Sequence, residues 1–264
     1  DNDIAYLKDM GAEIKTGTHI NSINRLEQQG FKSVFIACGA WQSQKLNIPG
    51  ETANGVLNAM DFLKQVRKGL PPSLSKKVAV IGGGNAAIDA ARTALRLGAA
   101  EVTIVYRRSV TEMPAINEEI NAALSEGIQL LLLTAPTTII DDNGQVTGLC
   151  CIRMELGEPD SSGRRRPMPI TGSEFNISAG NVIIAIGQVV ADSIFTELDH
   201  QPNGTIAADP ITMETSLKGV FAGGDAVSGP ATVIEAIAAG KEAAVSIDRL
   251  FNGQDLHTDR ENST

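Results

Sequence analysis

Val78-Ala-Val-Ile-Gly-Gly-Gly-Asn-Ala-Ala-Ile-Asp89 reads as an apolar strand, a glycine turn and the start of a helix. Gly82, Gly84 and Ala87 fill a G-x-G-x-x-A frame. In such a frame the first glycine permits the tight turn and the second lets backbone approach a pyrophosphate. The small third residue lets helix and strand pack closely. The helix then aims its free N–H groups and positive dipole end at the phosphates. Asn85 and Ala86 lie in the same first turn and join the glycines as candidate cofactor contacts.

After the helix Asn85–Leu97 and its stop at Gly98, a second strand runs from Glu101 to Tyr106. An NAD site usually ends this strand with an acid that accepts from the ribose 2′-hydroxyl. Here the strand ends Tyr106-Arg107-Arg108, with Arg107 about 25 residues beyond Gly82, close to the usual ~20. Guanidinium groups suit a 2′-phosphate through planar, charge-assisted contacts. Arg107 and Arg108 therefore point to NADP(H), against the plainer alternative of a solvated arginine pair.

The chain's 264 residues suffice for one large or two ordinary domains. Apolar content of 42% and a mean hydropathy near zero describe a globular protein. No apolar run approaches the roughly 20 residues of a membrane span, and Asp1–Ile4 does not resemble a signal peptide. A net charge of −9 argues against a nucleic-acid partner; Arg164–Arg166 is the one dense basic cluster, either a docking patch or a solvated hairpin loop. Cys38, Cys150 and Cys151 form no C-x-x-C pair, so neither a metal ligand set, a clustered iron–sulfur motif nor a disulfide-reductase dithiol is expected. Cysteine usage suggests a cytoplasmic location. The three histidines show no pairing with a nucleophile.

Around this unit the elements are ordered as follows. Residues 1–11 read as a helix end stopped at Gly11, Ala12–Thr16 as a short strand, and Val34–Ala37 as a buried strand. The opening looks like the middle of a strand–helix–strand unit in a longer chain. A helix is expected near Ala59–Lys68, and another opened by Met113-Pro114-Ala115. A strand follows at Ile128–Leu133, then a hairpin of Thr137–Ile140 and Val146–Leu156 around the Asn143-Gly144 turn. Residues Gly157–Pro169 read as polar and turn-rich, and Phe175 and Val182–Ile186 as further strands. Ile36-Ala-Cys-Gly39 and Ile184-Ala-Ile-Gly187 both end apolar strands in a glycine, as chain crossings between two nucleotide domains would. Trp41, beside the first crossing, is expected at the domain seam or in a core. Gly219-Val-Phe-Ala-Gly-Gly-Asp225 precedes a long apolar helix, Thr232–Phe251. The Asp225 carboxylate there could accept from sugar or ribitol hydroxyls, or simply cap the helix. The polar tail Asp255–Thr264 is expected to fray.

Together these segments resemble the flavoprotein (beta, or small) subunit of NADPH-dependent glutamate synthase and its relatives, including the NADPH-binding part of dihydropyrimidine dehydrogenase. The carrying runs are Val34–Ala40, Ile48–Glu51, Val78–Asp89, Val105-Tyr-Arg-Arg-Ser109 with Glu112-Met-Pro-Ala115, Glu118–Ile120, Leu156–Asp160 with Ser162–Arg165, Ala185–Gln188 and Phe221–Asp225. The resemblance implies an α/β, two-dinucleotide-domain flavoprotein, with a Rossmann-like NADP(H) domain (44–188, including an antiparallel meander) inserted into an incomplete FAD domain (1–43 and 189–264). It implies hydride transfer from NADPH to FAD, with electrons passing on to an iron–sulfur domain or subunit upstream or in trans. Gly224 and Asp225 would lie at the flavin ribitol, Thr232 and Val233 near the isoalloxazine edge, and Ala185 and Gly187 beside the nicotinamide. The family's first glycine fingerprint and its upstream cluster cysteines are absent, leaving a partial FAD site, and Cys38 stands where relatives more often have threonine. A non-catalytic NADP(H)-binding module is the alternative. A stand-alone dehydrogenase would need a Tyr-Lys or His-Asp constellation that the chain does not display.

Overall fold

Val78–Ile81 of the Lys77–Ile81 strand are buried, as a parallel strand covered on both faces requires. The fold is built around it in a computed structural model that describes residues 2–160, 163–190 and 195–260. Five parallel strands lie in the order Val56–Asn58, Asn181–Ile184, Lys77–Ile81, Glu101–Val105, Gln129–Leu131. The chain leaves the central strand toward one edge and returns on its other side, so a topological switch point falls at the carboxyl end of Lys77–Ile81. That is where open α/β sheets bind ligands.

Helices Ala59–Arg67, Asn85–Arg96 and Asn117–Ser125 cover one face. The second helix buries Ala87, Ile88, Ala90, Ala91 and Ala94, a period-3.6 stripe whose alanines allow close approach to Val80 and Ile104. Gly98, at φ +99°, ends it with Ala99 N–H donating back to the Ala94 carbonyl at 3.2 Å. The other face carries Ala79, Ile81, Val105, Val182 and Ile184 against Ile139, Val146, Leu149 and Cys151 of an antiparallel meander. Its hairpin joins Thr134–Asp142 to Gln145–Pro159 through Asn143 and Gly144, both at positive φ (52° and 78°), as a primed two-residue turn requires. Cys151 is buried and Cys150 half-buried on alternate faces. Burial, reinforced by the neighbouring Cys150, pushes the Cys151 thiol up to about 12, which leaves it inert.

The chain divides into two units, Trp41–Val189 and Asp1–Ala40 with Val190–Thr264. In the second unit Val34–Ile36 pairs in parallel with Val220–Ala222. Ile23, Ile36, Leu198, Ile206, Val220, Ala222 and Ala226 form its core. A 19-residue helix, Val233–Phe251, follows.

Several sequence expectations need correction. Ala12–Thr16 is not a strand: it is exposed and finds no ladder, and alternation of residue types cannot make a strand without a partner. Residues 157–169 are not simply turn-rich, because Arg165–Pro169 pairs back on Met154–Pro159 as a second hairpin. Met113–Ala115 does not open a helix. The next helix starts at Asn117, and Val110–Glu112 forms a separate 3₁₀ turn. Trp41 is 60% exposed. The tail is held as far as Arg260, whose guanidinium donates to Ser246 Oγ, the Ile211 carbonyl and Glu242 Oε2 at 2.6–2.7 Å. Residues 261–264 of the expected frayed tail lie outside the described residues.

Candidate functional site

The glycine turn is shaped by backbone contacts that a side chain would abolish. Gly82 sits at φ +145°, and a methyl there would come within 2.2 Å of the Ala185 carbonyl oxygen. Its N–H donates to the Val105 carbonyl at 3.1 Å, while Ala185 N–H donates to the Ile81 carbonyl at 2.8 Å. The turn thus lies between the two strands flanking the switch point, with Ala185 against it. Gly187 follows, exposed at φ +124°, its carbonyl accepting from Gln44 N–H at 3.0 Å.

Gly84 is the N-cap of Asn85–Arg96 and has no side chain to satisfy the helix end. Ala87 N–H donates to the Gly84 carbonyl at 2.9 Å. Of the four N–H groups a helix start leaves over, those of Gly84, Asn85 and Ala86 are therefore presented together. The chemistry of this cradle of donors fits a pyrophosphate. Asn85 is exposed, with its Oδ1 accepting from Ile116 N–H at 3.0 Å.

At the end of the neighbouring strand the two arginines part company. Arg107 is exposed. Arg108 is buried, its Nη2 donating to Asp160 Oδ2 at 2.5 Å and its Nε to the Arg165 carbonyl at 2.7 Å. Of the two arginines expected at a 2′-phosphate, Arg107 is thus the exposed one, and the Arg108 guanidinium fastens the second hairpin to the strand end. In the sequence Asp160 stands out only as part of the Leu156–Asp160 run. Its pairing spans 52 positions and has no local signal. Ser162, from the same run, lies outside the described residues.

Gly224, Asp225, Thr232 and Val233 come together in the other unit. With Phe35, Ala37, Gly39, Gly223, Ala231 and Ala236 they line one cavity of about 240 Å³. Gly223 has no room for a methyl, which would meet Ala239 Cβ at 2.9 Å and the Phe35 ring at 3.0 Å. Asp225 is half-buried and its Oδ1 accepts from Ala231 N–H at 3.2 Å. It opens the short Asp225–Ser228 helix and does not cap the long one. That cap is Thr232, in a reciprocal box with Glu235. The box satisfies the N–H groups of Thr232 and Glu235 and leaves that of Val233, a cavity-lining residue, without a partner inside the helix. The sequence had singled out neither Phe35 nor Gly223 as a lining residue. Gly39 had drawn notice only through its echo with Gly187.

Thr232→Ala is expected to lower stability by about 1 kcal/mol, read as a lower urea midpoint. Hydrogen bonds from the Thr232 hydroxyl and then its N–H hold the Glu235 carboxyl below its usual range. The box is therefore complete above the ordinary carboxylate pKa and lost as pH falls through the lowered one. The difference between wild type and Thr232→Ala should shrink in acid.

A profile of the pyridine nucleotide-disulphide oxidoreductases matches residues 3–240. The chain belongs to that family. The beta subunit of the NADP(+)-dependent formate dehydrogenase of Moorella thermoacetica is 44% identical over 256 residues, covering 94% of this chain and 36% of that protein. The beta subunit of the NADPH-Fe(3+) oxidoreductase of Geobacter sulfurreducens is 41% identical, covering 94% and 41%. The small chain of Escherichia coli glutamate synthase [NADPH] is 36% identical, covering 90% and 55%, which bears out the resemblance read from the motifs. The chain thus spans about a third to a half of the length of these curated relatives.

Among solved structures, Mycobacterium tuberculosis FprA in complex with NADPH matches with a TM-score of 0.73 at 20% identity, covering 89% of this chain and 68% of that one. Thioredoxin reductase from T. acidophilum matches with a TM-score of 0.62 at 24% identity, covering 82% and 64%. At those identities the likeness is one of fold. This pyridine nucleotide-disulphide oxidoreductase therefore has the fold of the two-domain reductases, and it is an oxidoreductase by family. Among its described residues no helix is long and apolar enough to cross a membrane.

Proposed function

We propose that this chain is the NADPH-binding portion, and part of the flavin-binding portion, of a reductase that moves electrons from NADPH to a partner. The observation that carries the reading is Arg107, an exposed guanidinium at the strand end beside the glycine turn, where an NAD site would hold an acid. The names of the three relatives described above carry NADP or NADPH, which supports the same assignment.

On this reading Gly82, Gly84, Asn85, Ala86 and Ala87 form the turn and helix start that receive the pyrophosphate, and Arg107 receives the 2′-phosphate. Ala185 and Gly187 offer backbone at the switch point, where the nicotinamide end would lie. In the other unit Gly224 gives the backbone room to turn, and the Asp225 carboxylate accepts hydroxyl protons. Thr232 holds the helix start, where Val233 lines the cavity with its N–H left over by the helix. FAD, when bound, supplies the ring that takes up hydride and gives up electrons singly. Iron–sulfur partners are the acceptors this scheme calls for, and residues 1–43 with 189–264 would form the flavin domain around an inserted 44–188. The cofactors are NADP(H) and FAD, and the setting is cytoplasmic.

One observation favours a second reading, a module that binds NADP(H) without retaining flavin. The cavity of about 240 Å³ falls short of the roughly 300–1,000 Å³ of small-molecule sites. The deciding experiment mixes the purified chain with FAD, removes free flavin, and adds NADPH without oxygen. Retained flavin that NADPH bleaches supports the proposal. A colourless protein that still binds NADPH supports the second reading, and failure to bind NADPH overturns both.

A further inference from the structure

We infer that Tyr106 and the Ser109–Ile116 segment form a strap that sets the glycine turn in its anion-receiving shape, with Tyr106 as its positioning residue. The inference rests on the NADP(H) reading of that turn. Tyr106 stands on a fixed platform, its N–H donating to the Leu131 carbonyl and its carbonyl accepting from Thr134 N–H, both at 3.0 Å. Its ring packs against Gly83, where a methyl would meet the ring carbons Cε2 and Cδ2 at 2.5–2.6 Å. Its hydroxyl donates to the Glu112 carbonyl at 2.6 Å. The strap starts from a capping box between Ser109 and Glu112 and passes back over the turn. There Ala115 N–H donates to the Gly83 carbonyl at 3.2 Å and Ile116 N–H to Asn85 Oδ1 at 3.0 Å.

These two bonds decide which way the donors face. The Gly83 carbonyl and the Gly84 N–H belong to one trans peptide and point oppositely. Holding that carbonyl toward the strap therefore aims the Gly84 N–H away from it, out of the turn. A backbone N–H can only donate, so the Asn85 amide must turn Oδ1 to Ile116 and present its NH₂ outward. Without the strap both groups could rotate, and the turn would offer an anion carbonyl oxygens as readily as donors. Preorganisation of this kind is worth most where the ligand is charged. It also gives the Met113-Pro114-Ala115 run a role: Pro114 brings its ring to within 3.8 Å of a methyl built on Gly84, a lid without a donor of its own.

The test uses Tyr106→Phe, which keeps the ring and removes only the oxygen, with Ile104→Val as a control that loosens the same sheet from within. Tyr106→Phe is expected to weaken NADPH binding about three- to tenfold, the size of one hydrogen bond. In ³¹P spectra of the bound cofactor the pyrophosphate resonances should shift while the 2′-phosphate resonance stays. Ile104→Val should lower the melting temperature without either effect. Gly83→Ala, which drives the ring off the turn, should weaken binding further. Unchanged affinity and spectra in Tyr106→Phe, or an equal loss in Ile104→Val, would overturn the strap's role and leave the NADP(H) reading standing. A wild-type chain that fails to bind NADPH would instead remove the reading itself.

Discussion

Arg107→Ala is expected to weaken NADPH binding by about 1.5–3 kcal/mol, roughly 10- to 150-fold, the range of hydrogen bonds to charged groups. NADH binding should change little. The asymmetry follows from the division of labour at the strand end. On the proposed reading the cradle of Gly84, Asn85 and Ala86 N–H groups would meet the pyrophosphate that both cofactors carry. Arg107 is exposed there, while Arg108 is committed to Asp160 and the Arg165 carbonyl. On that reading one guanidinium would carry the discrimination. Arg107→Lys should recover part of the loss, since an ammonium keeps the charge but not the planar fork. Parallel titrations of the variants with NADPH and NADH check this, and equal losses for both cofactors would remove the 2′-phosphate role.

The largest effect on stability is expected from Asp160→Ala. It leaves the Arg108 guanidinium, whose side chain is 4% exposed, without its counter-charge. Breaking a buried pair from one side costs roughly 3–5 kcal/mol. Asp160, at 23% exposed, keeps some solvent screening, which puts the expected loss near the lower end, about 3 kcal/mol. In a unit of this size that corresponds to a fall of roughly 6–12 °C in melting temperature. The cost is that of a stranded charge, so it should be relieved by removing the charge: Arg108→Met combined with Asp160→Ala should be more stable than Asp160→Ala alone. A double-mutant cycle by thermal melting measures this coupling. Additive losses would mean the pair contributes nothing beyond its separate side chains.

These two arginines also show where the sequence stops being informative. The glycine turn, its strand and its helix were legible because each is set by local chemistry: an apolar run, a positive φ that glycine tolerates, and a stripe of alanines. The Asn143-Gly144 hairpin was legible for the same reason. Arg107 and Arg108 are chemically identical neighbours in the bend that follows the Glu101–Val105 strand, and what separates them is tertiary contact. One faces solvent and the other meets an aspartate on a distant hairpin. The strap escaped notice likewise. Pro114 suggested a helix start, whereas tertiary bonds to Gly83 and Asn85 hold that backbone across the turn. Ala12–Thr16 shows the converse failure, a plausible strand pattern with no ladder to join. In the other unit Asp225 was legible as a strand-end acid and Thr232 as the start of a long helix, whereas the cap role weighed for Asp225 falls to Thr232. Phe35 and Gly223 were not legible, because their meeting depends on how the Val34–Ile36 and Val220–Ala222 strands pair beside the long helix.

On the proposed reading this oxidoreductase chain takes NADPH on the Gly82–Ala87 turn and selects it through Arg107. Calorimetric titration of the unmodified chain with NADPH and with NADH tests it most directly. One site is expected, binding NADPH at least about tenfold more tightly than NADH, the gain from one charged contact. Equal affinities, or a preference for NADH, would contradict it.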